Sequence, residues 1–412
     1  MHWRRVGQDC GGFQIFRRGL TRGILWICLV GIGMVSQSHA AEWSIVPSLG
    51  VKGVYNDNLL LTPLPHDATY GYWISPAAEF AGKTERLEVS GKVAADFVSY
   101  YGGEETNFTN IFLPLSVRYK TEKDLLGFTG GFTRDNTLMS ELLTTGIVVR
   151  FTQRNQWNAN PTWTHRLTEK LSVQSSVQFT DTTYEDGRRL GLVNYQLLGG
   201  SGGLLYQLTE QDQVQITGNY TSFYTTAASS DFRASIPGLM LTVAHVFTES
   251  LTGTAFGGPR FISTTNQAPG GDIKAHETIW IYGASLAKQF ESGSLQLSAS
   301  RDIIPSGFGL LIQTDRVSLS GSYKISETIT GSLDANGYIT SGATHTISGG
   351  TLAEQRYVGI SPKLAWKFLE WWKLEAFYTY GRRDVDGFAT TATSNAAMLM
   401  LTYYPPKLAL SN

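Results

Sequence analysis

The chain has little of what disulfide-rich proteins and helical membrane proteins depend on. Its only two cysteines, Cys10 and Cys28, lie near the N-terminus. Charged residues make up 16% of the 412 residues, below the roughly 25% of an average soluble protein. After residue 41 no run approaches the roughly 18 apolar residues that a membrane-spanning helix needs. These shortages exclude a disulfide-stapled domain and a bundle of membrane-spanning helices.

The sequence also lacks the usual marks of enzymes and of nucleic-acid-binding proteins. Its formal net charge is −1, whereas nucleic-acid-binding surfaces are strongly basic. The seven histidines are scattered, with no H-E-x-x-H or paired metal-binding spacing. We therefore predict no catalytic residue, no metal, no cofactor and no nucleic-acid partner: the protein is not an enzyme.

The first forty residues differ from the rest. Arg17-Arg18 precede an apolar run over residues 24–35, and Ser38-His39-Ala40 follow it. A basic segment, a short apolar segment and small residues before a cleavage point are typical of a secretory signal peptide. We predict a Sec signal peptide over residues 1–40, cleaved after Ala40, and one domain over residues 41–412. Export by the twin-arginine route is the alternative, but the motif around Arg17-Arg18 is poor.

Short turn motifs containing glutamate recur along the mature chain. The glutamates are Glu85, Glu122, Glu169, Glu210, Glu249, Glu291, Glu327 and Glu370. Six of the eight follow Thr or Ser, and each lies 36 to 47 residues from the next. Such self-similarity indicates a repeated supersecondary unit.

On both sides of each turn, apolar and polar residues alternate. Leu295, Leu297 and Ala299, for example, alternate with Gln296, Ser298 and Ser300. Period two predicts a strand with one apolar and one polar face. Longer polar stretches separate the far ends of the strands: 56–67, 102–106, 136–151, 186–192, 265–275 and 342–352. Short turns that alternate with longer loops are typical of outer-membrane barrels.

We therefore predict an all-β fold: a transmembrane antiparallel up-and-down β-barrel of about 18 strands over residues 42–405, with its closing strand ending near Tyr404. An even strand number places both termini in the periplasm. A secreted β-sandwich or solenoid is the alternative, since its strands also alternate. Aromatic residues at the predicted strand ends favour the membrane, because aromatic girdles lie at both interfaces. They are Trp43, Tyr100, Tyr101, Trp371, Trp372, Tyr403 and Tyr404.

Polar residues within the strands identify candidate lumen residues. A charge that faces lipid at the bilayer centre costs about 2–4 kcal/mol, so these side chains are predicted to face a water-filled lumen. The candidates are Lys92, Asp96, Arg154, Gln156, Asn158, Asn160, Lys363, Lys373 and Glu375. On the strand of Arg154 the alternate residues Trp157, Ala159 and Trp163 are predicted to face lipid. Pro161 requires a bulge, an irregular pairing or the membrane boundary there, and a slip of one residue would exchange the two faces.

Two further motifs have two interpretations each. Tyr55-Asn56-Asp57-Asn58 is predicted to end the first strand, because Asn and Asp favour turns; calcium coordination by its oxygens is the alternative. The segment 199–203 matches the G-x-S-x-G pattern of hydrolases around Ser201. It lies within a predicted strand, however, where glycine bends or smooths a barrel wall.

Several motifs resemble those of an outer-membrane β-barrel family found beside exosortase and exopolysaccharide loci. They include the segment 43–50, Tyr55-Asn56-Asp57-Asn58, the Leu-Thr-Glu turns, Glu370-Trp371-Trp372 and the segment 394–407. The resemblance implies a barrel linked to polysaccharide synthesis and export, and it brings no catalytic residues. One departure is the C-terminal Ala409-Leu410-Ser411-Asn412, where a terminal aromatic residue is expected.

The predicted function is a passage for polar solutes through the outer membrane, with a growing exopolysaccharide as the preferred cargo. A general diffusion porin and a non-transporting structural or assembly barrel are the alternatives. The expected partners are outer-membrane lipid, the barrel-assembly machinery, and polysaccharide with its export proteins.

Overall fold

A computed structural model describes residues 42–103, 105–138, 140, 151–226, 231–268, 271–343, 353–387 and 391–411. The predicted signal peptide, residues 1–40, and its cleavage point after Ala40 lie outside these residues. Most of the described chain is strand. No helix in the described part is long and apolar enough to span a membrane.

The first nine strands alternate in direction along the chain. They are β1 (Glu42–Asn56), β2 (Thr69–Lys83), β3 (Leu87–Gly102), β4 (Thr106–Lys120), β5 (Asp124–Asn136), β6 (Gln153–Arg166), β7 (Leu171–Tyr184), β8 (Tyr195–Gln207) and β9 (Asp212–Thr226). A short helical turn, Gly187–Leu190, follows β7.

The remaining strands continue the same pattern. They are β10 (Asp231–Thr248), β11 (Leu251–Ala268), β12 (Gly271–Phe290), β13 (Gly293–Pro305), β14 (Leu311–Lys324), β15 (Ile329–Gly342), β16 (Gln355–Leu369), β17 (Trp372–Val385), β18 (Ala392–Tyr403) and β19 (Leu408–Ser411).

The strands close into a barrel. Each strand from β1 to β17 pairs antiparallel with the next one along the chain, and β18 returns to pair with β1 from Leu49↔Tyr403 to Asn56↔Ala396. Closure leaves no unpaired edge, which is the condition for a β-structure in lipid. The predicted 18-strand up-and-down barrel is thus confirmed.

A short additional strand follows the closing strand. After β18 the chain leaves the ladder at Pro405 and Pro406, and β19 then pairs with the start of β1, from Ile45↔Leu408 to Glu42↔Ser411. Proline has no N–H to donate to a ladder, so pairing resumes only after both prolines. The predicted end of the closing strand near Tyr404 is confirmed, since β18 ends at Tyr403, and β19 is a separate four-residue strand that pairs with the start of β1.

All eight predicted short turns connect consecutive strands at one rim of the barrel. In the turn at Thr209, the Asp212 N–H donates to Thr209 Oγ1 at 3.0 Å, and the Thr209 N–H donates to the Asp212 carbonyl at 3.3 Å. Equivalent hydroxyl acceptors occur at Thr84, Thr121, Thr168 and Ser326. The hydroxyl thus satisfies a backbone N–H that the turn leaves free. This explains why Thr or Ser precedes most of the glutamates.

At the opposite rim one predicted loop is strand. Strands β11 and β12 pair without interruption from Leu251↔Lys288 to Ala268↔Gly271, so residues 265–268 and 271–275 belong to a long hairpin. Their polar composition suggested a loop, but a strand that extends above the membrane needs no apolar face. A connection that the sequence analysis missed, residues 306–310, joins β13 to β14.

Three loops of this rim, those after β1, β7 and β13, contribute side chains to apolar clusters inside the barrel. The Val193 N–H donates to the Gly307 carbonyl at 2.7 Å and joins the loop after β7 to the loop after β13. Leu192 belongs to an apolar cluster that includes Phe223 of the wall, and Phe308 packs against this cluster. Leu61, from the loop after β1, packs in a second cluster on the wall near β15 and β16. The interior is therefore narrowed on the loop side.

The turn chemistry yields a test of stability. Thr209→Val removes the acceptor for the Asp212 N–H and is expected to lower the free energy of unfolding by about 1 kcal/mol. Denaturant unfolding of the refolded protein in detergent micelles, followed by tryptophan fluorescence, measures this difference. Thr252→Val, in β11, is the matched control, and an equal loss in both variants would contradict a role for the turn hydroxyl.

Candidate functional site in the barrel wall

Alternating exposure defines two faces of the wall, which we call the outer and inner pleats. In β3, Val93 and Phe97 are 55% and 50% exposed, and they alternate with Lys92, Ala94 and Asp96. Other strands also carry exposed leucines at alternate positions: Leu239 and Leu241 in β10, Leu295 and Leu297 in β13, and Leu399 and Leu401 in β18. The outer pleat is this exposed apolar face, and the inner pleat lines the cavities and carries the internal clusters.

Aromatic side chains mark the two ends of the outer pleat. Trp43 and Tyr55, both exposed, lie at the two ends of β1, twelve positions apart. At a strand tilt of about 40° this separation corresponds to roughly 30 Å along the barrel axis, close to the roughly 25 Å of an outer-membrane apolar band. Further exposed aromatics of the turn side are Trp163, Tyr206, Phe247, Phe290, Tyr323 and Trp366, and those of the loop side are Tyr70, Tyr72, Tyr101, Tyr220 and Trp280.

Charges are concentrated on the inner pleat of β16–β18 and β1–β3, which we call the charged sector. Glu375, whose side chain is 7% exposed, forms ion pairs in which its Oε1 lies 2.7 Å from Lys363 Nζ and 3.0 Å from Lys373 Nζ. Lys92 Nζ lies 3.1 Å from Glu79 Oε1. The predicted residues Lys363, Lys373 and Glu375 therefore form one ionic group, and Lys92 belongs to a second pair.

A cavity of about 400 Å³ connects these groups. Its walls include Lys92, Asp96 and Glu375 together with Lys52. The Lys52 ammonium lies 3.2 Å from the ring centroid of Trp73, a cation–π contact. Both signs of charge occur within this space, so the sector has no strong preference for cations or anions.

The inner pleat of β7–β15 on the turn side is mostly uncharged, and we call it the neutral sector. Gln215 Nε2 donates to Gln174 Oε1 at 3.1 Å and to Thr217 Oγ1 at 3.0 Å. The hydroxyls of Ser294 and Ser322 lie 3.1 Å apart. Further hydroxyl and amide side chains of this wall are Ser176, Ser201, Gln289, Gln296, Ser320 and Ser332. This surface offers neutral donors and acceptors.

Strand β6 carries four of the predicted lumen residues on one pleat. Arg154 forms a bidentate pair with Asp135 at 2.9 and 2.7 Å, and Gln156 Nε2 donates to Thr182 Oγ1 at 3.0 Å. Asn158 and Asn160 line a cavity of about 800 Å³. Whether these side chains meet water in a lumen stays a prediction, as it does for the charged sector.

The other pleat of β6 carries the tryptophans. Trp157 is 56% exposed and packs against Phe132 at 4.7 Å between ring centroids. No register slip occurs at Pro161, because Ala159↔Phe179 and Thr162↔Ser176 belong to the same register. The pairs at residues 160 and 161 are missing from the ladder with β7, as expected for a residue without an N–H.

The Asn56-Asp57-Asn58 motif connects the two sides of the barrel closure. Asp57 Oδ1 accepts from the Asn395 N–H, and Asp57 Oδ2 accepts from Asn395 Nδ2, both at 2.7 Å. Asn58 Nδ2 donates to the carbonyls of Thr62 and Thr393 at 2.9 Å. Strand β1 ends at Asn56, as predicted. The carboxylate of Asp57 is committed to N–H donors, which argues against the calcium alternative.

Two other chemical possibilities find no support in the geometry. Ser201, of the G-x-S-x-G segment, lies within β8 and hydrogen-bonds Ser176 Oγ at 2.7 Å, whereas a nucleophile elbow requires a strand-turn-helix. Among the described residues, no three His, Cys, Asp or Glu side chains come together as a metal site requires.

Sequence reasoning missed several inner-pleat residues. Lys52 lies between Val51 and Gly53, as Lys92 lies between Gly91 and Val93. The alternating pattern that identified Lys92 could therefore have identified Lys52. Asp135, the partner of Arg154, follows Arg134 at a strand end and carries no such pattern. The row formed by Arg316, Tyr338, Tyr357 and Arg383 depends on the register of four strands, which the sequence alone does not contain.

No family model and no curated protein matches the sequence. Among solved structures, the outer-membrane channel DcaP of Acinetobacter baumannii is similar at 13% identity and a TM-score of 0.45, over 89% of this chain and 97% of that one. OccK2 (OpdF) of Pseudomonas aeruginosa, solved in complex with glucuronate, is similar at 9% identity and a TM-score of 0.44, over 91% of this chain and 100% of that one. Likeness at this level says nothing about the solute.

The closed ladder and the apolar band decide the class of protein. A closed barrel satisfies every backbone group between strands, as hydrocarbon requires, and a lipid-facing apolar band flanked by aromatic girdles is typical of outer-membrane barrels. The chain is an outer-membrane β-barrel.

Cysteine labelling tests the facing of β6. The sequence contains no cysteine after Cys28, so the single variants Gln156→Cys and Trp157→Cys are made in a chain in which Cys10 and Cys28 are first replaced by serine. We expect a water-soluble thiol reagent to label position 156 and not position 157 in intact outer membranes. Labelling at 157 but not at 156 would show that the facing is inverted.

The two ionic groups of the charged sector allow a matched stability test. Glu375→Gln leaves two lysines without their buried carboxylate and is expected to lower the free energy of unfolding by about 2 kcal/mol, less than for a fully buried pair because the lysines are one-third exposed. Glu79→Gln, in an exposed pair, is expected to cost under about 0.5 kcal/mol. Denaturant unfolding in micelles compares the two, and equal losses would contradict the ionic group around Glu375.

Proposed function

We propose that the barrel is a passage for polar solutes across the outer membrane, and that its preferred cargo is a growing exopolysaccharide. The observation that carries the proposal is the neutral sector, where Gln174, Gln215 and Thr217 form a connected wall of amides and hydroxyls. Saccharide hydroxyls are both donors and acceptors, and they need partners of both kinds. A neutral wall can exchange such bonds along a chain without retaining it through charge.

The charged sector supports the same proposal because its positive and negative groups pair with one another. Lys363 and Lys373 share Glu375, and Lys92 pairs with Glu79. A strongly ion-selective pore uses rings of one sign, whereas these charges largely offset each other. The resemblance to barrels found beside exopolysaccharide loci agrees with a saccharide cargo.

Orientation follows from the even strand number. Glu42 and Ser411 pair with each other at the rim that carries the eight short turns. Outer-membrane barrels have short periplasmic turns and longer external loops, so both termini lie in the periplasm under this proposal. We also propose that the chain is exported with a signal peptide that is then cleaved, and that the barrel-assembly machinery inserts it.

General diffusion is the second candidate. The cavities of about 400 and 800 Å³ along the wall favour it, since they offer space for small polar solutes. The two internal apolar clusters, around Phe223 and around Leu61, favour a narrower and more selective passage.

A deletion strain of the native host separates the candidates. We expect the deletion to remove surface polysaccharide and to leave small-solute uptake unchanged, and the wild-type gene to restore the polysaccharide. Normal polysaccharide with reduced uptake would favour the general porin. If neither polysaccharide nor uptake changes, the proposed transport function is wrong, and the alternative of a structural or assembly barrel remains.

Substitutions within the wall sharpen this test. Gln215→Leu removes two hydrogen bonds of the neutral sector and is expected to shorten the blockades that a neutral oligosaccharide causes in planar-bilayer conductance. Ser175→Val, on the outer pleat of β7, is the control and should leave blockade times unchanged. Equal blockade times in Gln215→Leu and wild type would contradict the role of the neutral sector.

A further inference from the structure

One cross-strand row of the inner pleat carries two arginines and two tyrosines. The register aligns Arg316 on β14 with Tyr338 on β15, Tyr357 on β16 and Arg383 on β17. The tyrosine rings stack with centroids 4.8 Å apart and an interplanar angle of 21°. The guanidinium of Arg316 lies 5.2 Å from the Tyr338 ring centroid. Across the four neighbouring strands, the row therefore places two aromatic rings between two cations.

The two arginines of the row have no ion-pair partner within the described part of the chain. The ion pairs of the described residues include neither Arg316 nor Arg383. Asp315 and Asp384 lie on the opposite pleat and pair with Arg301 at 2.6 Å and Arg382 at 3.3 Å. The inner-pleat acid Asp302 stands opposite Thr314 in the ladder and forms no ion pair with either arginine among the described residues. Both arginines are half-buried, and a charge that is partly withdrawn from water without a partner is costly. The row is thus a concentration of positive charge that an anion can offset.

Buried hydrogen-bonding groups around the row are also unmatched. Nε and Nη1 of Arg383, Oε1 of Gln355 and Oγ1 of Thr314 are buried and have no hydrogen-bond partner in the described part of the chain. Gln355 is 6% and Thr314 4% exposed. The register places Thr314 and Gln355 on either side of Thr340, in the next inner-pleat row towards the loop rim. Buried polar groups are normally satisfied, so each such exception calls for an explanation.

The row is covered by apolar side chains, Leu61 from the loop after β1 and Leu138 from the segment after β5. Leu61 is 2% exposed and packs with Tyr338 and Tyr357, which are 3% and 6% exposed. Leu61 has a φ of 48°, a conformation that L-residues with side chains adopt at some cost. Asn58 holds this loop through Thr62 and Thr393. The part of the cover that carries Leu61 is thus a local segment attached at the barrel closure.

We propose that this row binds the carboxylated unit of an acidic saccharide, and that Leu61 is part of its cover. Arginine binds carboxylates through charge-assisted hydrogen bonds, and stacked tyrosines suit the apolar face of a pyranose ring. The amide of Gln355 and the hydroxyl of Thr314 are partners for sugar hydroxyls. The saccharide class rests on the proposed function; the binding of a carboxylate rests on the row itself.

Binding to the purified, refolded barrel in detergent tests the proposal. The probes are trigalacturonate and the neutral trisaccharide maltotriose, measured by isothermal titration calorimetry. We expect Arg383→Gln and Arg316→Gln each to weaken trigalacturonate binding about tenfold or more, the range for a lost hydrogen bond to a charged group. Arg382→Gln, the next residue on the opposite pleat, is the matched control and should bind as wild type does.

Substitution of Leu61 is expected to change the binding affinity in the opposite direction. Leu61→Ala is expected to bind trigalacturonate more tightly than wild type, about threefold or more, because a covered site lowers apparent affinity by the fraction that is open. A heat-induced shift in gel mobility verifies that each variant forms a barrel. If one arginine variant does not fold, the other arginine variant and Leu61→Ala still decide.

Two outcomes would overturn the site: no trigalacturonate binding by wild type and Leu61→Ala, or equal binding of maltotriose. Equal affinity of Arg382→Gln and both inner arginine variants would overturn it as well. These results are independent of export. If the deletion strain keeps its polysaccharide while trigalacturonate binds through the row, the proposed export function fails and the site stands.

Discussion

The pairing of β18 with β1 is the contact on which the rest of the structure depends. Eight residue pairs from Leu49↔Tyr403 to Asn56↔Ala396 join the ends of the sheet, and β19 extends the seam to Glu42. An unpaired strand edge in hydrocarbon would leave a row of N–H and C=O groups without partners, each costing several kcal/mol. Closure removes that cost, and it also fixes which pleat of every strand faces inward.

The same seam connects architecture to the interior. Asn56, Asp57 and Asn58 hydrogen-bond the start of β18 and so define where the following loop begins. That loop carries Leu61 onto the tyrosines of β15 and β16. The loops after β7 and β13 enter on another side. One rim thus remains a ring of short turns, while the other has internal packing that can control access.

Much of the barrel could be predicted because lipid imposes a simple rule on each strand. Val93 and Phe97 must alternate with Lys92 and Asp96 when one pleat meets hydrocarbon and the other does not. The Thr-Glu turns were visible since a hydroxyl at one position satisfies a backbone N–H three residues later. The rule fails outside the membrane, which is why the polar hairpin of β11 and β12 was interpreted as a loop.

Local pattern by itself determined the strands, their number, their turns and the polar identity of one pleat, because each is a property of residues within one hairpin. Only the tertiary structure decided that Glu375 joins Lys363 and Lys373, and that Arg316, Tyr338, Tyr357 and Arg383 share a row. These contacts depend on the register between strands. Likewise, the position of Leu61 depends on closure, which brings residues more than 270 positions apart into one cluster.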